Sequence, residues 1–128
     1  MSRLLLDSHA LLWFVANDSA LSAAARSIIE TADDVFVSVA SAWEIAIKVH
    51  LGKLAVDAPS AEAFFDEQMR ANGFVYLPIA PAHVFRAAGL PLHHRDPFDR
   101  MLIAQALVES MSLVTREDFR AYGVPTSW

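Results

Sequence analysis

Short apolar runs alternate with longer stretches of helical periodicity along almost the whole chain. Arg3-Leu4-Leu5-Leu6 is an apolar run ending in Asp7 and reads as a buried strand. The stretch from His9 to Val15 has helical character. Ser22 stands where it can cap a second helix reaching Ala32, apolar at Ala25, Ile28 and Ile29. Val35-Phe36-Val37 is β-rich and predicts the second strand. Ser38 or Ser41 opens the next helix, which runs to about Leu51 and is closed by Gly52. A helix beginning at Ser60 carries Ala63, Phe64 and Met69 and ends at Asn72-Gly73. Phe74 to Ile79 predicts the third strand, and Pro81 to Ala88 a short helix stopped by Gly89 and Pro91. Asp96-Pro97 starts a strong helix through Met111, because Asp at the cap and Pro at the first helical position are the preferred residues there. Ser112 to Val114 predicts the fourth strand, and Gly123 to Trp128 a terminal extended segment.

Strands alternating with helices imply an α/β fold, an α/β/α sandwich around a mainly parallel sheet. In such sheets, binding sites form beyond the carboxyl ends of the strands. At 128 residues and 55% hydrophobic content, with four glycines, the chain reads as a single domain spanning 1–128 with a continuous core. No repeat or linker interrupts it. The absence of cysteine excludes both a disulfide framework and a thiolate metal site. The opening residues are too few and too soon acidic for a signal peptide, and no apolar run reaches the roughly 18 residues of a spanning helix. A soluble, cytoplasmic protein with no membrane partner is therefore expected.

Five carboxylates stand at positions where this topology puts chemistry. Asp7 directly follows the first strand, where capping the next helix would also explain it. Glu44 lies on a helix that is apolar nearly all round, so its carboxylate needs a partner. Lys48, one turn on, is the simple candidate, but such a pair contributes only about 0.2–0.5 kcal/mol on an exposed helix. Asp96 precedes Pro97 and reads as a cap, with Arg100 within reach. Asp99, in the first turn, is the better ligand. Asp118 follows the fourth strand in Thr115-Arg116-Glu117-Asp118, which also resembles a capping box.

The order of these acids along the chain can bring Asp7, Glu44, Asp99 and Asp118 into one pocket. Clustered carboxylates repel one another and stay ionised only beside a hard cation, for which oxygen ligands suit Mg²⁺ or Mn²⁺. The net charge of −5 gives no positive support for a nucleic-acid partner. Setting the five candidate acids aside leaves ten acids against ten bases, so charge does not exclude one. His93 and His94 are softer candidates for lining the site, and Arg95 and Arg100 for holding a phosphate backbone. Trp13, Phe14 and Trp43 are expected in the core, with base stacking as the alternative.

These residues also carry a family resemblance. Leu5-Leu6-Asp7-Ser8-His9-Ala10-Leu11-Leu12-Trp13 resembles the opening motif of a VapC subgroup of PIN domains. Ser38-Val39-Ala40-Ser41-Ala42-Trp43-Glu44-Ile45-Ala46-Ile47-Lys48 is similar to the second motif. Gly89-Leu90-Pro91-Leu92-His93-His94-Arg95-Asp96-Pro97-Phe98-Asp99-Arg100, followed by Met101-Leu102-Ile103-Ala104-Gln105-Ala106, resembles the third. The likeness extends over essentially the whole chain and implies a sheet ordered 3-2-1-4-5.

It further implies a Mg²⁺- or Mn²⁺-dependent endoribonuclease, the toxin of a VapBC-type toxin–antitoxin pair, acting on RNA, held by a cognate VapB-like antitoxin and forming a homodimer. Asp7, Glu44 and Asp99 match the principal acidic positions. Family members place the fourth acid two residues after the threonine, which is Glu117 here. Asp118 follows and is preferred, with Glu117 as the alternative and Thr115 as a supporting residue. Three other readings compete: a PIN nuclease of RNA processing or structured DNA, a catalytically silent nucleic-acid or protein-binding module, and a haloacid-dehalogenase-like phosphatase. The last is discounted, because its second aspartate would fall at position 9, which is His9.

Overall fold

The computed structural model describes residues 2–128. Its elements run β1 (Arg3–Leu6), α1 (Ser8–Val15), α2 (Ala23–Thr31), β2 (Asp34–Ser38), α3 (Val39–His50) and α4 (Ala61–Asn72). They continue with β3 (Val75–Leu77), α5 (Pro81–Gly89), α6 (Pro97–Glu109) and β4 (Ser112–Val114). A short 3₁₀ turn (Arg120–Tyr122) and β5 (Thr126–Ser127) complete the chain. The five strands form one sheet in the order β3-β2-β1-β4-β5, and every neighbouring pair is parallel. The expected α/β architecture and strand order are both present.

Alternation along β1 divides the interior into two cores. Leu4 and Leu6 face one way, among Ala10, Leu11, Ile29, Ile45, Phe64 and Phe65 from α1 to α4. Leu5 faces the other way, among Leu102, Ile103, Ala106, Leu113 and Phe119. All three leucines of this strand are buried, as its unbroken apolar run requires of a central parallel strand. Helices therefore cover both faces.

Local chemistry sets the helix starts. Asp7, Ser22, Ser38, Ser60 and Asp96 each accept a backbone N–H in the first turn of the following helix. Of the two serines that could open α3, Ser38 is the cap. Ser41 is buried, with its hydroxyl unpartnered. Gly73, at φ +67°, ends α4 in the left-handed conformation that glycine adopts without cost. Ser110 takes the left-handed position after α6, which therefore ends at Glu109 rather than Met111. β3 is shorter than expected, because only Val75–Leu77 pairs with β2.

Trp13 and Phe14 pack against the first core as expected. Trp43 does not belong to the core. It is 64% exposed, with one edge against Phe98 at 5.5 Å between ring centroids. Its position on α3 leaves most of the ring in solvent, and apolar character alone could not reveal that.

Candidate metal and active site

The strand order reverses between β1 and β4, and the crevice at their carboxyl ends is where an open parallel sheet binds ligands. A cavity of about 180 Å³ lies there, lined by Asp7, Ser8, His9, Glu44, Lys48, Asp96, Asp99 and Glu117. Its acids come from the end of β1, from α3, from the start of α6 and from the segment after β4. Residues far apart in sequence thus share one wall-to-wall acidic space.

Asp7 leaves β1 and caps α1, its Oδ1 accepting the Ala10 N–H at 2.7 Å. It is 7% exposed, and burial raises its pKa above the ordinary carboxylate value. A hydrogen bond from the Thr115 side chain, the Ala10 N–H and the charge of His9 oppose that rise, while Glu117 adds to it. Thr115 is buried at the end of β4, and its Oγ1 also accepts the Glu117 N–H at 3.1 Å. One threonine therefore ties two acids together.

Glu44 accepts the Ser8 hydroxyl at 2.6 Å through one oxygen and the Lys48 ammonium at 3.3 Å through the other. The simple i,i+4 partner is thus present, yet it does not remove Glu44 from the cavity. Ser8 is a contact that the sequence did not single out; its signal was only adjacency to Asp7.

Asp99 has its pKa raised to about 6, first by burial and then by Asp96; His94 works against the rise, and Glu44 and Asp7 add to it. The nearest ring nitrogen of His94 stands 3.7 Å from its carboxylate. Asp96 plays the helix-starting role expected of it, accepting the Phe98 N–H at 2.8 Å, and it also lines the cavity.

Asp118 is a correction. Its carboxylate is 63% exposed and grips Arg120 through two contacts of 2.9 Å, which hold its pKa down to about 2. Glu117 lines the cavity in its place. Arg100 is a second correction. Its guanidinium donates to the carbonyls of Pro91, His94, Ala87 and Leu90 at 2.9, 3.1, 2.9 and 2.8 Å. Both terminal nitrogens are thereby taken by the end of α5 and the loop before α6, and Asp96 is not among their partners. Within the same loop, His93 sets its ring against Tyr122, His94 donates its backbone N–H to the Tyr122 hydroxyl at 2.7 Å, and Arg95 is exposed.

The donor set consists of oxygens, and burial chiefly, with repulsion between neighbouring carboxylates added, raises the pKa of Asp7 and Asp99, which fits a hard divalent cation. Among the described residues, no three acidic or histidine side chains already converge at ligand distance. Both carboxylate oxygens of Glu44 are engaged, one by Ser8 and the other by Lys48.

The PIN-domain profile matches residues 4–124. Ribonuclease VapC22 of Mycobacterium tuberculosis is 33% identical over 120 residues, 91% of this chain and 88% of that protein. Ribonuclease VapC16 of the same organism is 41% identical over 69 residues, 52% of this chain and 48% of that protein. Among solved structures, VapBC2 from Rickettsia felis bound to a promoter DNA fragment superposes with a TM-score of 0.71 at 10% identity, covering 98% of each chain. A toxin–antitoxin complex from Klebsiella pneumoniae gives 0.66 at 14% identity, covering 98% of this chain and 96% of that one. At such identities the superpositions speak for the fold alone. The sequence match over nearly the whole chain, on a sheet of this order with acids at its switch point, makes the chain a member of the PIN-domain family.

Proposed function

We propose that this chain is a Mg²⁺- or Mn²⁺-dependent endoribonuclease and the toxin of a VapBC-type toxin–antitoxin pair. The observation that carries the reading is that Asp7, Glu44, Asp99 and Glu117 line one cavity at the β1–β4 switch point of a PIN-family sheet. The relatives named as VapC ribonucleases and the superposed toxin–antitoxin complexes supply the substrate class and the antitoxin partner. No helix among the described residues is long and apolar enough to cross a membrane.

A bound cation would supply Lewis acidity toward the scissile phosphate and a nucleophilic water at neutral pH. Asp7, Glu44 and Asp99 would hold it, with Glu117 as the fourth carboxylate. The chain's own groups pre-set these ligands: Thr115 fixes Asp7, Ser8 aims Glu44, and the capping turn at Asp96 presents Asp99. His94, beside Asp99, is placed to take or give a proton at the cavity edge. Homodimer formation is part of the same proposal. Its support is the apolar surface left exposed at Trp43 on α3, Phe85 on α5 and Leu92 in the loop after it.

The decisive experiment compares the purified chain with Asp7→Asn on single-stranded RNA in Mn²⁺. Asparagine caps a helix as well as aspartate does, so the variant keeps its fold. Cleavage should vanish in the variant and, in the parent chain, on chelation. Equal cleavage by the two proteins would falsify the assignment.

A further inference from the structure

Lys48 stands one turn beyond Glu44 on α3 and lines three adjoining hollows. One is the carboxylate cavity. The second is a groove of about 660 Å³ between α1, the 53–57 loop and α4, where His9, Trp13, Lys53 and Gln68 also lie. The third is a recess of about 390 Å³ that shares Glu44 and Asp96 with the cavity and has Ile47, Pro97 and Phe98 as its apolar wall. Among the described residues, Lys48 is the only lysine or arginine lining the cavity itself.

Three neighbouring arginines are engaged elsewhere, and Arg95 is exposed in the loop before α6 without lining the cavity. Arg100 serves the carbonyls of its loop, Arg116 lies 4.7 Å from the Trp13 ring centre, and Arg120 holds Asp118. A phosphodiester strand reaching this cavity meets five carboxylates, of Asp7, Glu44, Asp96, Asp99 and Glu117, and the ammonium of Lys48 opposes their repulsion. The side chain is 44% exposed on a flexible stem, and its ammonium has three donors, of which Glu44 engages one at 3.3 Å.

We propose that Lys48 is a positioning residue that holds the RNA phosphate next to the scissile one, where the strand passes from the apolar recess across the cavity into the groove. The proposal rests on the ribonuclease reading above.

The test uses Asp7→Asn as a cleavage-silent background and a fluorescently labelled single-stranded RNA, with binding followed by anisotropy over a range of salt concentrations in Mn²⁺. Adding Lys48→Met keeps the stem and removes only the charge. It should weaken binding several-fold and lower the slope of log K against log salt by about 0.7, one single-strand phosphate contact. Lys48→Arg should restore both, and the thermal midpoint should not move. Unchanged affinity and slope in Lys48→Met, with a shifted Mn²⁺ titration, would reduce Lys48 to a partner of Glu44 and overturn the proposal while the nuclease stands. If the background chain does not bind RNA and the parent chain does not cut it, both readings fall together.

Discussion

Between Glu117 and Asp118 lies a single peptide unit, yet their environments are opposite. The backbone after β4 turns Glu117 toward the cavity, its N–H anchored on Thr115, and hands Asp118 to the Arg120 guanidinium in open solvent. An exposed pair of this kind contributes little to stability, so Asp118→Asn should leave cleavage within about twofold of the parent. Glu117→Gln keeps the size and removes the charge that the cation and Asp7 both feel. Its loss should lower kcat by roughly 10–100-fold, the scale seen when a group orienting a metal site is removed. Steady-state cleavage rates of the two variants decide this. The reverse ranking would return Asp118 to the site.

At the scale of elements, α6 depends on the loop that delivers it. Four carbonyls of that loop and of the end of α5 converge on Arg100, which projects from the first turn of α6. This fixes how α6 enters the fold and so where Asp99 points. Hydrogen bonds from a charged donor contribute about 1.5–3 kcal/mol each in isolation and far less than additively in a cluster. Arg100→Lys keeps the charge but cannot present a planar fork to carbonyls on both of its edges. We expect it to destabilise the chain by about 2–4 kcal/mol in urea unfolding, with cleavage falling as the α6 start loosens. A loss below about 0.5 kcal/mol would show that the loop holds itself without this residue.

The whole molecule carries the electrostatic cost of the cavity. Asp99 has a folded pKa of about 6 against an ordinary 3.8, so the folded chain retains a proton that the unfolded chain releases between those values. Its contribution to the stability of the metal-free chain therefore declines as pH rises from about 4 through about 6, then levels off. Asp118 and Asp33, with lowered values, act in the opposite direction, so the informative quantity is the difference between the parent and Asp99→Asn. That variant should overtake the parent in thermal midpoint above pH 6, by on the order of 1 kcal/mol, because it removes a repelled charge. Saturating Mn²⁺ at pH 7.5 should stabilise the parent by about 2.7 kcal/mol at a hundredfold excess over its dissociation constant, and stabilise the variant much less. Parallel pH profiles for the two proteins, with no response to Mn²⁺, would refute this account.

Much of the fold was legible from local pattern. The apolar run at Leu4-Leu5-Leu6, the serine and aspartate caps and the Asp96-Pro97 start are all short-range signals, and each element stands where those signals put it. The acids were legible as a set because strand ends and helix starts are local features too. Several features could not be read this way. Whether Glu117 or Asp118 faces inward depends on a turn held by Thr115, and the direction of Arg100 depends on where a preceding loop folds back. The exposure of Trp43 depends on which side of α3 the neighbouring helices leave uncovered. Sequence by itself determined the helices, the strands and the candidate carboxylates, because propensity, capping and periodicity act over a few residues. Tertiary structure decided which carboxylates meet, which arginine is consumed and where Lys48 stands among three hollows, because those outcomes are distances between segments that only packing brings together.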